Sequence, residues 1–151
     1  MRTANQSQED FHVDLENVIH SDECLESCIS TLLSSFHAWP TRIERRSNQR
    51  YPFPHLLHLT PLGADGTPSG QDPIVVVGKH LSEQGLGFYH TNPLPYRRMI
   101  VSFETGNGSW LSFLIDLTWC RFTKQGWYES GGRFLQTVET PDTVNRTTKD
   151  E

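Results

Sequence analysis

Between His55 and Val138 the chain reads as short runs in which apolar and polar residues alternate, each bounded by turn residues, and this period of two most constrains the fold. The pattern predicts strands at His55–Thr60, Ile74–Lys79, Leu86–His90, Arg97–Glu104, Trp110–Phe122 and Trp127–Val138. The connection "PLGADGTPSGQDP" is rich in turn residues, and the "GNG" at 106–108 and "KQG" at 124–126 have the composition of hairpin tips. Six such runs are the right number for a small antiparallel barrel closed on itself.

Ahead of this unit the period changes. Leu25, Cys28, Ile29, Leu32, Leu33 and Phe36 recur at three- and four-residue spacing, which places them on one stripe of a helix. Ser21 is a candidate cap, Asp22 and Glu23 suit its positive end, and Pro40 lies just past it. The predicted organisation is a flexible acidic N-terminus over 1–20, an amphipathic helix over 21–39, a barrel domain over 41–139 and a flexible tail over 140–151. The tail, "TPDTVNRTTKDE", shows no apolar period.

The net charge of -5 conceals a division. Residues 1–44 hold eight acids against Arg2 and Arg42, whereas residues 45–133 hold nine bases against six acids. A mildly basic middle falls well short of what tracking many phosphates requires, so a nucleic-acid polymer is not the expected partner and a small anion is. No apolar run approaches the ~20 residues of a membrane span, and the first ten residues lack the apolar core of a signal peptide, so a cytoplasmic protein is expected. Cys24, Cys28 and Cys120 make an odd count that suits reduced thiols better than a disulfide framework.

Within the basic middle, "ERRSNQRYPFP" places Arg45, Arg46 and Arg50 just before Pro52 and Pro54. The prolines bar a continuing helix, so the stretch reads as an exposed loop entering the first strand. Guanidinium groups suit phosphate and the O6/N7 edge of guanine, because their planar fork donates two parallel hydrogen bonds. Taken alone, the loop reads more readily as a solvated linker whose arginines pair with acids such as Glu44. About thirty residues on, "HLSEQG" at the end of a β run supplies His80, Ser82 and Gly85.

R-R-x-x-x-R followed by H-x-S-x-x-G resembles the PilZ family, small β-barrels that bind the bacterial second messenger cyclic di-GMP. The resemblance runs from about Thr41 to Val138 and includes "GLGFYHTNPLP", "WCRF" and "GWYESGGRFL". It implies a six-stranded antiparallel barrel and reversible binding of cyclic di-GMP without chemistry on it. Arg46 and Arg50 would be the principal pair, with Arg45 flanking. Ser82 would supply a hydroxyl and Gly85 a close backbone approach. The family pattern has Asp or Asn where this chain has His80. A neutral imidazole offers one acceptor nitrogen and a protonated one none, so the substitution costs up to ~1–3 kcal/mol of base contact. The loop is expected to order around the nucleotide and to re-aim the preceding helix. An unidentified protein partner would then carry the output. The alternative is a degenerate barrel of the same shape that acts as a protein-interaction adaptor and binds no nucleotide.

Other constellations are weaker. Cys24 and Cys28 lie one helical turn apart on the apolar stripe, but a structural zinc site wants four ligands and no partner pair appears, so no metal or cofactor is expected. His55 and His58 read as ordinary strand residues. No G-x-S-x-G elbow is present, and Asp116 and Glu129 read as carboxylates on a solvated strand face rather than an acid pair, so no enzyme is expected. Trp119, Trp127 and Phe134 read as core or barrel-rim residues, with Arg121 an auxiliary contact.

Overall fold

The computed structural model describes residues 25–36, 49–106 and 108–149. Its elements are a helix α1 (Leu25–Phe36), strands β1 (Tyr51–Pro52), β2 (Leu56–Pro61), β3 (Ile74–Leu81), β4 (Gly85–His90), β5 (Arg98–Glu104), β6 (Trp110–Phe122) and β7 (Tyr128–Val138), and a second helix α2 (Asp142–Lys149). Arg45 and Arg46 lie outside the described residues, as do Ser21, Cys24 and the segment joining α1 to the barrel.

Every strand pairing is antiparallel, in the order β3-β2-β5-β6-β7-β4, and β4 pairs back onto β3, so six strands form a closed barrel. The alternation seen in the sequence is the inside–outside alternation of this wall. β1 is a short forerunner of β2: Tyr51 and Pro52 pair with Leu81 and His80, while Leu56–Leu59 pair with Val77–Ile74 lower on the same strand. Pro52 and Pro54 interrupt what is otherwise one edge along β3, and the Phe53 N–H and Gly78 N–H bridge the gap by donating to the Lys79 and His55 carbonyls. The ladder is broken by bulges at Gly78/His80, Leu114/Ile115 and Leu117/Trp119, which supply the bending a closed six-strand wall needs.

The interior is filled by Phe53, Leu57, Leu59, Phe88, Met99, Val101, Phe103, Phe113, Ile115 and Phe134. Its rings meet edge-on or tilted, with Phe113–Phe134 centroids 4.9 Å apart and Phe53–Phe103 5.5 Å. Helix α1 contributes Cys28, Ile29, Leu32 and Leu33 to this same core, all buried, so these members of the predicted stripe pack on the barrel. Cys28 therefore serves as a small core hydrophobe.

The C-terminal stretch differs from the expected flexible tail. Residues Asp142–Lys149 form α2, with Thr143 and Val144 buried and the Val144 N–H donating to the Pro141 carbonyl at 3.1 Å. Pro141 and Asp142 are start signals of a helix, but Val144 is the one apolar residue in the eight, so periodicity gives no sign of it. Among the described residues no helix is long and apolar enough to cross a membrane, and no group of three metal-ligating side chains occurs.

Candidate functional site

The outer face of β3, β4, β7 and β6 carries the chemistry. Strand register sets its layout in three rungs. On the middle rung His80 pairs with Gly87, Gly87 with Gly131, and Gly131 with Trp119. Neither glycine has a side chain to stand up from the sheet, so the flanking rings lie down over them. A Cβ on Gly87 would strike the His80 imidazole, and one on Gly131 the Trp119 indole. The result is a low floor edged by an imidazole and an indole, with Trp119 still 41% exposed.

On one side of this floor lies the rung Tyr89–Glu129–Arg121. Glu129 is held between two cations: Lys79 donates to Oε2, while Arg121 donates to Oε1 from Nε at 3.3 Å and Nη2 at 3.0 Å. The hydrogen bond from Lys79, and then that from Arg121, hold the Glu129 carboxyl below the usual carboxylate range against the opposing effect of burial. Arg121 also lies 6.0 Å from the Trp119 ring and Lys79 5.7 Å from that of Tyr89. On the other side lies the rung Arg98–Asp116–Arg133–Gly85. Here Arg97 Nε donates to Asp116 Oδ1 at 2.9 Å, with Arg98 and Arg133 further out at 3.5 and 4.0 Å. Asp116 and Glu129 are only 2% and 3% exposed, which corrects the solvated strand face expected of them. The long cationic side chains laid over them exclude water.

Arg50, Lys79, His80, Trp119, Arg121 and Glu129 line a cleft of about 260 Å³ on this face. The structure thus brings together two of the residues singled out in the sequence, Arg50 and His80. Burial, and then the nearby Arg50 and Lys79 charges, push the His80 imidazole below its ordinary value of 6.5, so at pH 7 it is neutral. A neutral ring offers this cationic cleft one acceptor nitrogen.

Ser82 and Gly85 stand in a different role. The Ser82 hydroxyl accepts from the Gln84 and Gly85 N–H groups at 3.2 Å and donates to the Gly85 carbonyl, which closes the turn from β3 to β4. Gly85 makes a close approach, but to the protein: a Cβ there would overlap the Gly132 backbone oxygen across the β4–β7 pair. Both residues are buried and neither lines the cleft. They hold the turn that places His80.

Sequence reasoning missed Lys79 and Glu129 as cleft residues and left Arg121 and Trp119 at the margin. The bulge at Gly78/His80 is the reason for the first: it lets the consecutive residues Lys79 and His80 both face the cleft, where strict alternation would send one inside.

No family model matches the chain, and no curated protein does. Among solved structures it is similar to the Bacillus subtilis inhibitor of motility MotI/DgrA, at 11% identity over 73% of this chain and 55% of that one, with a TM-score of 0.46. It is also similar to MrkH of K. pneumonia, both in complex with c-di-GMP (10% identity, 72% and 51% covered, TM-score 0.43) and in its apo state (11% identity, 72% and 50% covered, TM-score 0.42). The chain spans about half the length of each of these proteins.

Proposed function

We propose that this protein is a PilZ-like receptor that binds cyclic di-GMP reversibly on the outer face of its barrel and performs no chemistry on it. The observation that supports the reading is the convergence of Arg50 and His80 on one cleft with Lys79, Arg121 and the Trp119 ring. Three cations suit phosphates, and an exposed indole beside a guanidinium suits a purine face. Arg45 and Arg46, a few residues ahead of Arg50 in the sequence, complete the arginine motif and would add further guanidiniums for the ligand. The bound protein would signal through a partner in the bacterial cytoplasm.

His80 stands where an oxygen acceptor for guanine is expected in such a barrel, and its single acceptor nitrogen weakens the site without emptying it. Calorimetric titration of cyclic di-GMP into the natural protein, Arg50→Ala, Arg46→Ala and His80→Asp tests this. The reading expects saturable binding, a loss of at least tenfold with either arginine variant, and tighter binding with His80→Asp. No heat from the natural protein or from His80→Asp would overturn it.

A second reading has its own support. Leu56, Val75 and Val77 form an exposed apolar patch on the outside of β2 and β3, with Leu56 directly opposite Val77. A barrel that docks a protein through this patch and binds no nucleotide is the adaptor alternative, and silence in the titration would favour it.

A further inference from the structure

Past the Lys79–Glu129–Arg121 clamp the cleft continues into a second and larger one of about 580 Å³. Lys79, Glu129 and Arg121 line both, so the clamp is a partition between two chambers on one face. The second chamber repeats the chemistry of the first. Tyr89 forms part of its wall, and Trp127, 40% exposed, stands edge-on to it with centroids 6.1 Å apart. Lys124 adds a cation at its mouth, on the hairpin tip joining β6 to β7. That tip is pinned, since the Thr123 N–H and hydroxyl both donate to the Trp127 carbonyl, at 2.8 and 2.9 Å. The Trp127 backbone is therefore held in place beside an open cavity, with its indole against Tyr89.

We propose that this second chamber takes the second nucleobase of the same ligand. Trp127 provides its stacking face, while Lys79 and Arg121, on the partition, meet the phosphates that join the two nucleosides. The inference rests on the reading of the first chamber. At about 260 Å³ that chamber lies below the ~300–1,000 Å³ of ordinary ligand sites, too small for a whole dinucleotide but suited to one base. A cyclic dinucleotide is two planar groups joined by two anions, and the face offers two aromatic-edged chambers joined by two cations. A lone nucleotide would leave the larger chamber empty.

The test compares cyclic di-GMP with GMP as ligands of the natural protein, Trp127→Ala, Trp127→Phe and Lys124→Glu, with melting temperatures recorded for each. Loss of one base stack should weaken cyclic di-GMP about tenfold in Trp127→Ala. Trp127→Phe should stay within about threefold of the natural protein. Lys124→Glu, a change at an exposed tip with no folding burden, should weaken the dinucleotide several-fold. GMP binding should be unchanged in all three. Unaltered cyclic di-GMP binding in Trp127→Ala and Lys124→Glu, or a parallel loss of GMP, would overturn the second chamber while leaving the first intact. Failure of the natural protein to bind either ligand would overturn both.

Discussion

Asp116 and Glu129 flank the same Trp119–Gly131 rung, and both are nearly buried carboxylates clamped by cations. Their surroundings separate them. Asp116 shares its rung with Arg98 and with Gly85, whose missing side chain lets β4 lie against β7, and it lines neither cleft. Glu129 lines both clefts, and its cations project at the edge of open space. One carboxylate secures the wall, whereas the other orients cations beside open clefts. A buried ion pair on a barrel surface thus takes its meaning from what lies beside it, because burial and pairing are alike in the two.

The largest effect should come from the structural side. In Gly85→Ala the new methyl overlaps the Gly132 backbone oxygen, which cannot turn aside as a side chain can, so the loss should be about 3–4 kcal/mol in urea unfolding. A loss under 1 kcal/mol would show that β4 and β7 tolerate separation and that the Asp116 rung is not the rigid one.

Next in size is a crossed pair of variants. Asp116→Asn removes the buried negative charge that faces Arg97, Arg98 and Arg133 and should cost about 2–3 kcal/mol of stability, while the folded protein binds cyclic di-GMP within twofold of normal. Glu129→Gln should cost only about 1 kcal/mol, because Arg121 and Lys79 reach water, yet weaken binding about tenfold as both cations lose their fixed direction. Urea unfolding and calorimetry on the same samples measure both. The reverse pattern would exchange the roles of the two carboxylates.

The smallest effect is one of pH. His80 has its folded value below the 6.5 of an unfolded chain, so above that pH both states are neutral and stability is complete. As pH falls through 6.5 the unfolded chain takes up a proton first, and stability declines until the folded imidazole also protonates. Glu129 acts in a separate window, since its lowered carboxyl contributes above 4.5 and loses its contribution only as pH drops below that. Melting temperatures of His80→Gln should therefore fall less between pH 7.5 and 5.5 than those of the natural protein. Parallel curves would mean that His80 is not buried against Arg50 and Lys79.

How much of this was legible follows from which physics each feature obeys. The barrel was, because half-buried antiparallel strands must alternate, and strand ends differ from the expected ones by only one or two residues, as at Leu56–Pro61 against His55–Thr60. Helix α1 was, through its stripe. Helix α2 was not, since a single buried valine leaves no period. Of the residues lining the candidate cleft, Arg50 and His80 were singled out through a motif. Lys79, Trp119 and Glu129 became neighbours only through register and two bulges, which local sequence does not announce. Ser82 and Gly85 were found for their spacing, and the structure assigns them to the turn rather than the cleft.

The most direct test of the account is a nuclear magnetic resonance titration of the protein with cyclic di-GMP. Saturable shifts are expected in the Trp119 indole N–H and in the backbone amides of Lys79, His80, Arg121 and Gly131, with those of Arg98 and Asp116 little changed. Shifts confined to Leu56, Val75 and Val77, or no shifts at saturating ligand, would contradict it.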